Sequence, residues 1–337
     1  MPRSSETPTS LLADTFPSPD DQATAQLLAH VREGLSRQPK TLSSMYFYDD
    51  EGSRLFQQIM QLPEYYPTRT EFGIFTEQGA AIGAALAPAA GTPFRLVELG
   101  AGDGTKTMLL LRELLSQGAD FTYVPVDISG GALAGLAESL RRELPELRVE
   151  PIEADYFAAL AGLRDDEPKV VLFLGSNIGN FLPQDRQEFL QQLASHLTSA
   201  DRLLIGFDLQ KDPRIIRAAY DDSQGVTAAF NLNLLRRLNR ELGADFDLTA
   251  WEHYTDYDPL SGAVRSYLVS RRAQTVQFAG AGFSCGFAAW EVIHTENSYK
   301  FTRPQIEALA RPAGLRVQHF FTDARQYFAD VVLMPQG

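Results

Sequence analysis

Short apolar runs alternate with helical patterns through the middle of the chain. FRLVEL (94–99), TYVPVD (122–127), LRVEPIE (147–153), VVLFLG (170–175) and RLLIGFD (202–208) are predicted strands. Helical spacing is predicted near 105–117, 131–144, 156–164 and 183–197. That alternation is the pattern of an α/β fold with a doubly wound parallel sheet. A helix near 303–313 and strands at 315–321 and 329–334 resume it.

The flanking segments differ. Leu27, Leu28, Val31 and Leu35 recur at helical spacing within 23–37. Aromatic residues and turn formers crowd the stretch from Tyr46 to Pro67, and 79–92 is an Ala- and Gly-rich helix end and loop. Past Asp208, 211–241 is predicted helical with a break at AAYDDSQGV, and 247–280 is predicted as strands that include AVRSYLVSRR. Two interleaved domains follow: 72–209 with 301–337, and a smaller α+β unit from 24–71 with 210–300. Residues 1–23, polar and rich in Ser, Thr and Pro, form the expected flexible tail.

Charge narrows the partners. Lys and Arg total 30 against 43 Asp and Glu, a formal charge of −13, which repels phosphate backbones and speaks against nucleic acid. No apolar run approaches the roughly 20 residues needed to cross a bilayer, and the N-terminus lacks a signal-peptide core. Cys285, alone, excludes an internal disulfide and fits a reducing compartment. These features predict a cytoplasmic protein, and we expect a monomer. His30, His196, His253, His294 and His319 share no ligand spacing, so no metal site is expected. Arg236, Arg237 and Arg240 are expected on a solvated helix face.

The run Glu98-Leu99-Gly100-Ala101-Gly102-Asp103-Gly104-Thr105 follows the first strand and leads into a helix. Its glycines let the backbone turn tightly beside a ligand. A dinucleotide loop has G-x-G-x-x-G; here the third glycine comes one position early, and Glu98 and Asp103 would repel a pyrophosphate. A cationic sulfonium has no phosphate to repel. The pattern resembles motif I of class I S-adenosylmethionine (SAM) methyltransferases. Asp127 ends the second strand, where it can accept from both ribose hydroxyls, and Asp155 follows the third, near the expected adenine amino group. Either aspartate also suits a helix cap.

A more specific resemblance runs through FYDDEGS (47–53), LPEYYPTRTE (62–71), VELGAGDGTKT, VPVDIS, FLGSNIGN (173–180), AAYDDSQGVTAAFNLN (218–233) and HTENSYKF (294–301). In that order these segments are similar to the histidine-specific, SAM-dependent methyltransferases that make histidine betaine for ergothioneine biosynthesis. The resemblance implies SAM contacts from Glu98, Gly100, Gly102, Gly104, Lys106, Asp127 and Asp155. It implies that Asn180 holds the α-amino and carboxylate groups of L-histidine, that Tyr220 reaches the carboxylate, and that the Gly175 backbone closes on the substrate. Tyr65 with Glu296 and Ser298 would read the imidazole, Phe56 would be an apolar wall, and Tyr48 would sit by the reacting amine. Tyr48 and Asn180 are the implied catalytic residues.

One position departs from the family pattern. Ser266 stands where relatives that methylate histidine carry a pocket-lining methionine, which would enlarge the pocket. The expected activity is Nα-methylation of L-histidine, up to three times. Methylation of another amino acid or of an imidazole nitrogen is the close alternative. A dinucleotide oxidoreductase and a non-catalytic sensor of SAM or histidine are the distant ones.

Overall fold

The computed structural model describes residues 19–89, 91–163 and 167–336. Up to residue 18 the expected tail lies outside the described residues, and the first helix already begins at Pro19, running to Ser36.

Among the described residues, eight strands form the larger sheet. Leu315–Thr322, Phe328–Pro335, Arg202–Asp208, Lys169–Phe173, Phe94–Leu99, Phe121–Asp127 and Arg148–Val149 lie side by side, with Ile152–Glu153 also pairing with Phe121–Asp127. The expected 147–153 strand is split there, since Pro151 has no N–H to give the ladder. Phe328–Pro335 pairs antiparallel on both sides, so the sheet is parallel only up to Arg202–Asp208.

The apolar runs are explained by burial on both faces. Val97, Val171 and Ile205 face a core with Phe189 and Leu193, whereas Leu96, Val170 and Leu204 face one with Ile74, Ile82 and Leu110. Neighbouring residues of one strand thus serve opposite cores, each fully buried side chain contributing about 1.5–3 kcal/mol.

A second sheet orders Lys40–Thr41, Val292–Tyr299, Ala263–Ser270 and Trp251–Asp258 side by side, and Gln274–Phe278 pairs with Phe283–Phe287 as a hairpin. Its core joins Leu27, Val31 and Leu55 to Phe230, Leu234 and Ile293. Four elements here escaped the periodicity: the helix Asp50–Gln61 and the strands Lys40–Thr41, Phe283–Phe287 and Val292–Tyr299. The helix Tyr66–Leu86 crosses the expected division at 71/72, because Pro67 occupies its first turn and no breaker follows until Pro88. Its start lies beside the second core and its end on the larger sheet.

Candidate active site

Strand Phe94–Leu99 ends in a loop whose Gly100, Gly102 and Gly104 have φ of 76°, 54° and 66°. Side chains rarely adopt that left-handed region. A Cβ on Gly104 would also lie 2.4 Å from Leu136, whereas at Gly102 nothing stands within 4 Å, leaving the backbone open to a ligand. Asp127 ties the loop to the next strand: Gly102 N–H donates to its Oδ2 at 3.3 Å and Ser129 N–H to its Oδ1 at 3.0 Å. A carboxylate has about four lone-pair sites, so capacity remains for hydroxyl donors. Ile128 beside it is 65% exposed, an apolar surface for a flat ring.

Beyond the strand Lys169–Phe173, Gly175 and Ser176 both turn left-handed, with φ of 75° and 59°. The loop carries Asn180 outward and is clamped by Arg186, which donates to Ile178 O at 3.1 Å and Phe181 O at 2.8 Å. Opposite the loop is Val292–Tyr299, so close that a Cβ on Gly179 would lie 2.8 Å from Tyr299 O.

Between them lies a cavity lined by aromatic rings, Asn180, Tyr220, Glu296 and Ser298. Tyr48, half exposed, meets Phe56 at 5.6 Å and Phe230 at 5.7 Å between ring centroids. Phe56 meets Tyr65 at 6.1 Å, and Tyr65 meets Tyr220 at 6.2 Å, both edge-on. Tyr48 is held through its neighbour Asp49, which accepts from Gly52 N–H (2.8 Å), Asn233 Nδ2 (2.7 Å) and Arg240 (2.7 Å). Although the ring is half exposed, its hydroxyl end is desolvated in the cavity, which pushes it well up, and Glu296 and Tyr220 push it further. It stays a neutral hydroxyl.

The Glu296 carboxylate has no hydrogen-bond partner among the described residues. Burial raises its pKa to about 7 against the opposing pull of Lys300. Ser298 Oγ and Tyr220 Oη lie 2.8 Å apart, and Lys300 donates to both. The backbone of Tyr220 is fixed by Thr255 Oγ1, which donates to its carbonyl at 3.0 Å.

A protein-family model described as "Histidine-specific methyltransferase, SAM-dependent" matches residues 27–335. The chain belongs to this family. It is 42% identical over 303 residues to "Histidine N-alpha-methyltransferase" of Mycolicibacterium smegmatis, a match covering 90% of this chain and 93% of that protein. The protein of the same name from Mycobacterium tuberculosis is 37% identical over 304 residues, covering 90% of this chain and 93% of its own length. "Ergothioneine biosynthesis protein 1" of Schizosaccharomyces pombe is 33% identical over 244 residues, which are 70% of this chain and 31% of that longer protein.

As a SAM-dependent methyltransferase, the chain has a loop that fits its cofactor: an open backbone at Gly102, carboxylates in place of phosphate-binding cations, and an apolar neighbour at Ile128. Lys106 begins the following helix and pairs with Glu71. A Cβ on Gly175 would lie 3.5 Å from Lys106 Nζ, so the loop and the cavity adjoin. Asp155 caps the helix Tyr156–Ala161 through Oδ1, which accepts from Phe157 and Ala158 N–H at 3.0 Å each.

Of the residues expected around the substrate, Tyr48, Phe56, Tyr65, Gly175, Asn180, Tyr220, Glu296 and Ser298 share this one cavity. Ser266 does not line it. Its Cα pairs with that of Glu296 across adjacent strands, and its short side chain is buried without reaching the cavity surface. Glu98 also departs from expectation. Only 3% exposed, it accepts from Thr107 Oγ1 at 2.6 Å and from the Tyr123 hydroxyl, so it braces the loop from below. Arg237 and Arg240 are not a free solvated face: they reach Tyr46 O and Asp49, pinning the segment around Tyr48. Sequence reasoning missed Phe230, Asn231 and Thr227, which line the cavity from the helix Val226–Leu242. All three lie within AAYDDSQGVTAAFNLN or its flank, where a helical spacing alone marks core.

Proposed function

We propose that this methyltransferase acts on the α-amino nitrogen of L-histidine, up to three times, giving histidine betaine as a first step of ergothioneine biosynthesis. The observation that carries the reading is the unpartnered Glu296 carboxylate, which lines one cavity with the exposed Asn180 and a neutral Tyr48 hydroxyl. The names of the two mycobacterial relatives support the same substrate.

Bound SAM supplies an electrophilic methyl group on a cationic sulfonium, and the protein's task is placement. In this reading Glu98 braces the loop, Gly100, Gly102 and Gly104 give it an open backbone, and Asp127 accepts from the ribose. Lys106 meets the cofactor's carboxylate and the free Oδ2 of Asp155 the adenine amino group. Asn180, able to donate and accept at once, holds the substrate's amino and carboxylate groups. Glu296 accepts the imidazole N–H, and Ser298 stands beside the ring with its proton given to the Tyr220 hydroxyl, which leaves Tyr220 free to donate to the carboxylate. Tyr65 and Phe56 wall the ring, and Gly175 closes the backbone over it. Tyr48, held neutral, accepts from the amine and keeps its lone pair aimed along the line of transfer. A monomer in the cytoplasm goes with this reading, and the buried free thiol of Cys285 is consistent with a reducing compartment.

The test is a single-acceptor assay. With SAM and L-histidine alone, S-adenosylhomocysteine should form at a rate that depends on histidine. Binding of both ligands with no S-adenosylhomocysteine released would make the chain a sensor and overturn the reading.

A further inference from the structure

The hydroxyls of Tyr220 and Ser298 do not face the cavity unaided. Lys300, with a side chain 0% exposed, donates to Tyr220 Oη at 2.7 Å and to Ser298 Oγ at 2.8 Å, and meets Asp208 Oδ2 at 2.9 Å. An ammonium has three donors and no acceptor, so Lys300 is fully engaged. Tyr220 Oη and Ser298 Oγ also share a hydrogen bond of 2.8 Å. Each hydroxyl carries one proton, and one of the two is spent between them. Both already accept from Lys300. What the pair presents to a ligand is therefore one donor.

Charge points the same way. Asp208 is 1% exposed and faces two ammonium groups, Lys300 and Lys211, with the Tyr66 hydroxyl donating to it at 2.9 Å. Burial would raise the Asp208 carboxyl, but the two lysines more than offset this and hold it below its ordinary range. With Asp208 shared between two ammonium groups, Lys300 keeps a positive charge behind the Tyr220–Ser298 pair, and Glu296 within the cavity feels it too. A single donor backed by positive charge is complementary to an anion.

We propose that Lys300 is a specificity-determining positioning residue: acting through Tyr220 and Ser298, it selects acceptors with a free carboxylate over the same molecule without one. This rests on the histidine reading above. Lys300 itself touches no substrate in this account.

The full-length protein tests it with L-histidine and with histidinol, which replaces the carboxylate by a hydroxymethyl group. Lys300→Met and Lys300→Gln are compared with wild type; in both, Asp208 keeps its pair with Lys211, so no buried carboxylate is left without an ammonium. Calorimetric binding of S-adenosylhomocysteine, on the far side of the cavity, reports that each variant is folded. The KM for histidine should rise at least about tenfold while that for histidinol barely moves, so the preference between the two collapses by a similar factor. Loss on both acceptors in equal proportion, with the preference intact, would make Lys300 a purely structural residue and overturn the proposal. If the wild type turns over a different amino acid, the substrate reading falls, and the same ratio taken on that amino acid and its alcohol still decides the role of Lys300.

Discussion

The backbone N–H of Gly175 donates to the Glu71 carboxylate at 2.8 Å, on a side chain that is fully buried. The other carboxylate oxygen pairs with Lys106. Glu71 thus joins the cofactor loop to the wall of the substrate cavity, and Gly206 leaves it room: a Cβ there would lie 2.6 Å from Glu71 Oε1.

Removing that joint should cost stability and binding together. Glu71→Ala removes the acceptor of the Gly175 N–H and the ion-pair partner of Lys106, leaving Asp330 to face that charge, so unfolding free energy should fall by about 2 kcal/mol, as read by denaturant titration. Glu71→Gln keeps an acceptor for Gly175 and loses only the charge. Its histidine KM should stay close to wild type while that of Glu71→Ala rises, which separates the Gly175 bond from the Lys106 pair.

Glu296 should govern histidine affinity in a pH-dependent way. Glu296→Ala should raise the histidine KM at least about tenfold, a loss of about 1.4 kcal/mol or more, as expected for a hydrogen bond to a charged group. Because burial lifts its pKa to about 7, the carboxylate form that accepts an N–H is lost as pH falls through that value. Wild-type kcat/KM for histidine should therefore climb across pH 6 to 8 with a limb near 7. In Glu296→Gln that limb should vanish; its persistence would assign the limb to the substrate.

Tyr48→Phe removes a hydroxyl and keeps the ring contacts with Phe56 and Phe230. The melting temperature should hardly change. Turnover should drop at least about tenfold, roughly the 1.4 kcal/mol of one oriented hydrogen bond. Mass spectrometry of the products should show mono- and dimethylated histidine accumulating ahead of the trimethylated form.

How far the sequence carried this account depends on the kind of residue. The loop from Gly100 to Gly104 was legible because positive φ at a fixed distance from a strand admits little but glycine. The central strands were legible because burial on both faces leaves continuous apolar runs. The cavity was not: Tyr48, Asn180, Tyr220 and Glu296 come from distant segments, and only the family resemblance drew them together. Lys300 and Asp208 lie inside HTENSYKF and RLLIGFD, yet a buried ion pair between segments far apart in the sequence has no local signature. Ser266 shows the converse, since alignment along a strand fixes a neighbour of Glu296 without fixing whether its side chain reaches the cavity. The helical spacing of Arg237 and Arg240 is legible, but their partners at Tyr46 and Asp49 belong to another part of the chain.

Glu98 should reveal itself in the pH dependence of stability. Burial raises its pKa from 4.5 to about 7, against the hydrogen bonds of Thr107 and Tyr123. The folded protein then holds a proton that the unfolded chain releases, so Glu98 makes the fold lose stability as pH rises from 4.5 to about 7. Glu98→Gln keeps the shape and removes the titration. Its unfolding free energy should fall less steeply over that window than that of the wild type, and an identical slope would show that Glu98 is already ionised in the folded state.

The central claim is that histidine is methylated on its α-amino nitrogen, and product identity tests it most directly. The purified protein is incubated with SAM and an equimolar mixture of the proteinogenic amino acids, and products are followed by tandem mass spectrometry. L-histidine should gain up to three methyl groups, all on the α-nitrogen, while the other amino acids remain unchanged. Methylation of a different amino acid, or of a ring nitrogen of histidine, would contradict the account.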